Sequence, residues 1–234
     1  VKGKARRWIT NWSITILNTL TLRLFSVALP LLAIGAAFDA QNLNVGFFNR
    51  IDFSYWVEFL LVILILDFAI WLQHLLTHKI GFLWRIHRVH HSDTQMDVST
   101  AIRFHPIEIA LSMVLKIGLV YALGADPLSI LFFEILLNGS SMFNHANIKI
   151  PTRIDKVLRL FIVTPDMHRI HHSSDRNEHD TNFGFALSVW DRFFRTYKDY
   201  PQTKHEDMEL GLNWQDEKPE KLGWSLALPF RKNE

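Results

Sequence analysis

The chain has 234 residues, 49% of them hydrophobic, with 18 Phe, 8 Trp and a formal net charge of +2. This length supports one domain, and the apolar content exceeds that of an ordinary small soluble domain. Cysteine is absent, which excludes disulfides, thiolate zinc sites and iron–sulfur clusters, while the small charge and lack of a basic stripe argue against nucleic acid.

Apolar runs dominate the first 150 residues, and Arg, Lys, Asp, Glu and His become frequent from Pro151 onward. The expected fold is an all-α integral membrane helical bundle, with residues 1–146 spanning the membrane and 147–234 forming a cytoplasmic helical cap, all within one domain. Four runs approach the roughly 20 residues a spanning helix needs: 12–38, 53–78, 106–123 and 128–146. The first contains Arg23 and Pro30, which predicts a kink or an early end. The third and fourth are joined by a Gly-Ala-Asp-Pro turn at 124–127, suited to a tight helical hairpin. A soluble all-α bundle is the competing reading, since two of the runs are short.

Basic residues set the expected sidedness. Lys2, Lys4, Arg6 and Arg7 precede the first run; Lys79, Arg85, Arg88 and Arg103 follow the second; Lys149, Arg153, Lys156 and Arg159 follow the fourth. The positive-inside rule puts all three groups, and both termini, in the cytoplasm of a bacterial inner membrane or endoplasmic reticulum. No cleavable signal peptide is read, the chain starts at Val rather than Met, and the sequons at Asn11 and Asn138 lie within or against apolar runs, where glycans are not expected.

Twelve histidines are present, and the pattern HxxHH occurs twice, which chance would produce on the order of one time in a thousand. On a helix, positions i, i+3 and i+4 share a face, so His87, His90 and His91 are expected to converge on one point, as are His168, His171 and His172. His74 and His78 form a third set at the cytoplasmic end of the second run. Eight imidazoles exceed one metal and suit two, each with four or five nitrogens and an open position. Spacing alone leaves iron, copper, zinc and nickel open.

His145 is a ninth candidate. With Glu134, Asn138 and Ser141 it makes a polar stripe down an apolar helix, and ionisable groups in a span are by default functional; the competing reading is an interfacial histidine satisfied by water. Asp67, two turns before His74, is a candidate acceptor for the far N–H of a ligand imidazole, with helix packing as its alternative. His105, in RFHPIE, is read as a structural residue at a helix start. His179 lacks a partner at ligand spacing, and His205 lies in a charged segment read as solvated.

The stretches HRVHHSDTQMDVSTAIRFHPIE and TPDMHRIHHSSDRNEHDTNFGFALSVWDRFFRTY resemble the fatty acid hydroxylase and sterol desaturase superfamily, and the similarity runs from about Asp67 to Tyr197. The resemblance implies two metals, generally iron, though zinc can replace them in a purified sample. It also implies O2, two electrons and hydroxylation or desaturation of a lipid or sterol-like substrate. Carried over box by box, the ligands are His74, His78, His87, His90, His91, His145, His168, His171 and His172, with no catalytic side chain beyond them. The first box reads HLLTH where the family often has HRxxH, and an extra histidine of longer members is replaced by Ser140 or a neighbour. Members that use tetrahydrobiopterin carry an HHxxRN-like stretch that HSSDRN at 172–177 approaches only loosely, so that cofactor is not expected.

Charge balance for such a site would come from carboxylates such as Asp67 or Glu134. Substrate is expected to enter from the bilayer, with Gly139, Ser140 and Ser141 leaving room and residues 190–194 closing the aqueous side. No flavin, haem or thiolate motif is present, so electrons must come from a cytochrome b5 or ferredoxin-type donor. The alternatives are a zinc hydrolase, which lacks an HExxH base here, a metal transporter, whose ligands belong near the midplane, and a metal-stabilised scaffold, which wants closed four-ligand sites.

Overall fold

A computed structural model describes residues 3–28, 32–214 and 218–231. Its helices are α1 (Lys4–Ala28), α2 (Ala33–Asn42), α3 (Tyr55–Lys79), α4 (Gly81–His91), α5 (Pro106–Leu123), α6 (Pro127–Asn144), α7 (Thr152–Leu158), α8 (Pro165–His171), α9 (Arg176–His179), α10 (Val189–Phe193) and α11 (Leu222–Ala227). The all-α expectation holds: among the described residues extended pairing is limited to two isolated bridges, Ile162 with Leu187 and Ser173 with Leu210. The run at 12–38 is carried by two helices, α1 and α2, and the predicted kink at Pro30 lies outside the described residues.

Local sequence explains where the central helices begin and end. His105 caps α5, its Nδ1 accepting from the Ile107 N–H, with Pro106 in the first turn, and Gly124 ends the helix at φ 65°. Asp126 then caps α6 by accepting from the N–H groups of Leu128 and Ser129. This is the tight hairpin expected at 124–127, and it confirms the structural reading of His105. The segment after α2 presses on the same turn: Phe47 N–H donates to the Ala122 carbonyl and Phe48 N–H to that of Leu123. A Cβ on Gly124 would meet the Val45 carbonyl oxygen at 2.6 Å, so the close approach requires glycine there.

Among the described residues α3 and α5 are the two helices long and apolar enough to cross a membrane, with mean hydropathies of 2.3 and 1.7. Only 17% of the apolar window of α5 is buried, so most of its hydrophobic surface faces outward. The shared core lies between α2, α3, α5 and α6, where Ala36, Val62, Leu66, Val120, Ile130 and Phe133 are buried together. A second cluster, Ile14, Val89, Leu212, Trp224 and Leu228, ties α1 and α4 to the C-terminal segment.

Two arginines assigned to the cytoplasmic face turn inward. Arg103 is fully buried and donates to the Val89 and Pro219 carbonyls, Asn11 Oδ1, Ser92 Oγ and Ser225 Oγ. Arg88 donates to the carbonyls of Leu228 and Arg231. Their N–H groups are met inside the protein by acceptors from α1, α4 with its cap, and the C-terminal segment. Arg7 joins this layer by pairing with Asp93 at 2.8 Å. Replacing Arg103 with Met would strand several buried acceptors, and we expect a loss of about 3 kcal/mol or more, read as a lower unfolding temperature of the detergent-solubilised chain; an unchanged midpoint would contradict this assignment.

Candidate metal centre

Nine buried histidines meet where the C-terminal end of α3, α4, the end of α6 and α8 come together. They form two groups, His74, His78, His87, His91 and His171 in one and His90, His145, His168 and His172 in the other, with donor atoms in each group within 4.8 Å of one another. The boxes therefore do not each converge on one point, as the sequence led us to expect. From 87–91 the i, i+4 pair enters the first group and His90 the second; from 168–172 the i, i+4 pair enters the second group and His171 the first. Helical rotation of about 100° per residue accounts for this, since i and i+4 differ by only about 40° whereas i+3 and i+4 point about 100° apart.

Outer partners orient the rings. The Nδ1 of His74 donates to the Phe183 carbonyl, that of His145 to the Ser141 carbonyl and that of His171 to the Thr181 carbonyl, each at 2.7 Å. His87 Nδ1 lies 2.6 Å from Glu108 Oε1. A proton fixed on Nδ1 leaves the Nε2 lone pair bare, the form that binds a metal. Burial, reinforced by neighbouring imidazoles, pushes His90, His91, His168, His171 and His172 well below the ordinary histidine range, which keeps them neutral.

The inner edges fit a cation better than protons. His145 Nε2 lies 3.1 Å from His90 Nε2 and 3.2 Å from both His168 Nε2 and His172 Nε2. One lone pair cannot accept from three neighbours. An ion bonded at ~2.1 Å to two nitrogens at 90–109° holds them roughly 3.0–3.4 Å apart, which matches these contacts. In the first group His74 Nε2 approaches His87 Nε2 at 3.2 Å, and the Nε2 atoms of His78, His91 and His171 have no hydrogen-bond partner.

Several neighbours differ from expectation. Asp67 does not reach His74; its Oδ2 accepts from Trp190 Nε1 at 2.8 Å. Seven residues of helix separate the two by about 10 Å along the axis, too far for a carboxylate to span. The Phe183 carbonyl takes that place, and its loop is held by Asp191, which accepts from the N–H groups of Phe183 and Gly184, Trp71 Nε1 and Thr196 Oγ1. Trp190 and Phe194 pack along α3 against Phe68, and Phe194 also stacks on Trp71, so this segment braces that helix. Glu134 pairs with Lys116 at 2.5 Å.

Glu108 was missed by the sequence reading, although a carboxylate in the first turn of an apolar helix was a visible signal. His179, set aside there, stacks on Trp84 and forms a smaller group with His78 and Asp180. His205 is half-buried rather than solvated. Beside the first group lies a cavity of about 320 Å³ reaching from His74 and His87 between α1, α3, α5 and α6. Of the three small residues expected to make room, Ser141 lines it.

Residues 59–196 match the family model described as fatty acid hydroxylase. An ornithine lipid hydroxylase of Rhizobium tropici is 30% identical over 153 residues, covering 65% of this chain and 45% of the relative. The human alkylglycerol monooxygenase is 27% identical, covering 62% and 31%, and the rat cholesterol 25-hydroxylase is 26% identical, covering 62% and 48%. The chain thus spans less than half the length of each of these relatives. No solved structure gives a significant match. The match takes in all nine of the clustered histidines and covers more than half of the chain, and on that basis this protein belongs to the fatty acid hydroxylase family.

Proposed function

We propose that the chain is a membrane-embedded, non-haem di-iron oxygenase that hydroxylates a C–H bond of a lipid. The observation that carries this reading is the pair of histidine groups with inward Nε2 edges, one of which opens on a cavity between apolar helices. One ion would be held by His74, His78, His87, His91 and His171, the other by His90, His145, His168 and His172. When bound, the metals supply O2 activation, with one oxygen atom inserted into the C–H bond and the other leaving as water with two electrons and two protons. Hydroxylation is preferred to desaturation because the named relatives are hydroxylases and monooxygenases.

The chain's own groups prepare the site. The carbonyls of Phe183, Ser141 and Thr181 and the Glu108 carboxylate keep protons on the outer nitrogens, so the inner lone pairs face the ions. Complete burial of the imidazoles excludes bulk water from the reacting bond. Glu108 is the carboxylic group hydrogen-bonded to the donor set through His87.

The whole chain acts as one domain, with residues 1–146 contributing the spans and 147–234 a cap. α3 and α5 cross the bilayer, the residues of α1 and α6 complete the bundle, and both termini and the histidines face the cytoplasm. Electrons arrive from a cytochrome b5 or ferredoxin-type donor.

Iron-reconstituted protein with a reductase system is expected to place labelled oxygen from O2 into a membrane lipid; no incorporation into any lipid of the extract would sink the reading. Purified chain should hold two metal ions, and a single tightly bound zinc would favour a hydrolase or scaffold. His90→Ala and His171→Ala each remove a ligand from a different group and are expected to abolish turnover and lower metal content. Glu108→Leu should weaken metal retention by about 10–100-fold, measured by competition with a chelator; unchanged retention would show that the carboxylate does not hold His87.

A further inference from the structure

The cavity beside the histidines is apolar over most of its wall, with Ile70, Phe104, Leu137 and Phe185, but polar groups interrupt that lining. Its wall carries the Lys116–Glu134 ion pair, and three buried polar atoms of its lining residues, Asn18 Oδ1, Glu108 Oε2 and Ser141 Oγ, lack hydrogen-bond partners. Such atoms are costly in an apolar bundle and call for a polar occupant. Lys116 and Glu134 pair with each other, and the three unpartnered atoms offer hydrogen-bonding positions to recognise it.

A second cavity, about 540 Å³, runs along α3 and α5 as a groove. Phe68 and Leu72 on one side and Leu111, Leu115 and Leu119 on the other make it apolar. Leu72 is 38% exposed and Leu111 46%, so the groove is open outward on the two helices that can span a membrane. The first cavity and the groove share Gln73, Thr77 and Glu108. Ser112 Oγ donates to Gln73 Oε1 at 3.2 Å across this seam, and Glu108 holds His87 with its other oxygen.

The geometry points to an amphiphile bound head inward: its alkyl chain lies in the α3–α5 groove, its hydrogen-bonding head group fills the more polar cavity, and the C–H bond offered to the histidines is close to the head group. This rests on the lipid-oxygenase reading above and specifies its substrate class. The opposite orientation would set a chain end against an ion pair and a head group among leucines, leaving both sets of atoms unmatched. Gln73 and Ser112 form the constriction at which head and chain part.

The test is photo-crosslinking of the full chain in lipid nanodiscs, metal-loaded and free of O2 so that no turnover intervenes. The probes are two forms of palmitoyl monoacylglycerol, with a diazirine either beside the carbonyl or at the chain terminus, each competed by the unlabelled lipid. The head-proximal probe is expected to label residues 15–22 and 134–141, and the terminal probe residues 111–119 of the groove. Leu111→Trp, a change at an exposed position, should reduce competable labelling by the terminal probe about tenfold without altering metal content. Reversed labelling, or labelling indifferent to Leu111→Trp, overturns the orientation. Oxygen incorporation with reversed labelling would sink this inference alone, whereas the expected labelling without incorporation would sink the oxygenase reading alone.

Discussion

The structure depends on burying nine imidazoles, six of which bring inner nitrogens to within 3.1–3.2 Å of a neighbour's. Lone pairs at that distance repel unless a cation lies between them, and a protonated ring would bring a like charge into a dry site. The outer nitrogens of His74, His145 and His171 are therefore tied to backbone carbonyls, and that of His87 to Glu108. The polypeptide beyond the histidine helices serves this end. The loop after α9 brings two carbonyls to the first group, and Asp191 fixes that loop with four hydrogen bonds. α1 and the C-terminal segment clamp the loop after α4 through Arg103.

Much of this centre was legible in the sequence because its residue types are rare and its spacing is local. All nine candidate histidines come together, and His105 takes the capping role its position before Pro106 indicates. Two groups of four or five nitrogens were expected, but not the splitting of each HxxHH box between them, because facing the same way was taken as pointing at the same place. A difference of about 100° between adjacent residues is enough to send His90 and His91 to different groups. Asp67 was offered as a partner of His74, with helix packing as its alternative, for a related reason: angular agreement with His74 hid a separation of two helical turns. The Phe183 and Thr181 carbonyls had no side-chain signature at all. Contacts made by the backbone of a distant loop leave nothing in composition or periodicity to find.

The apolar runs were legible as helices but less so as spans. α3 and α5 carry the hydropathy of membrane helices, while α1 has Arg7, Asn11 and Asn18 buried against the loop after α4 and its continuation. Its polar residues face inward to complete a hydrogen-bonded layer beneath the histidines. A hydropathy average merges this inner face with the outer one, and so reads as a single moderately apolar run what is in fact a two-sided helix.

Sharing each HxxHH box between the two groups has a mechanical consequence. A single turn of α4 links His87 and His91 to His90, and a single turn of α8 links His168 and His172 to His171, so the separation of the two groups is gauged by covalent helix pitch rather than by the packing of separate elements. A rotation or slide of either helix displaces donors in both groups together. The spacing of the pair is in this sense a ruler written into the backbone, insensitive to loosening elsewhere in the bundle.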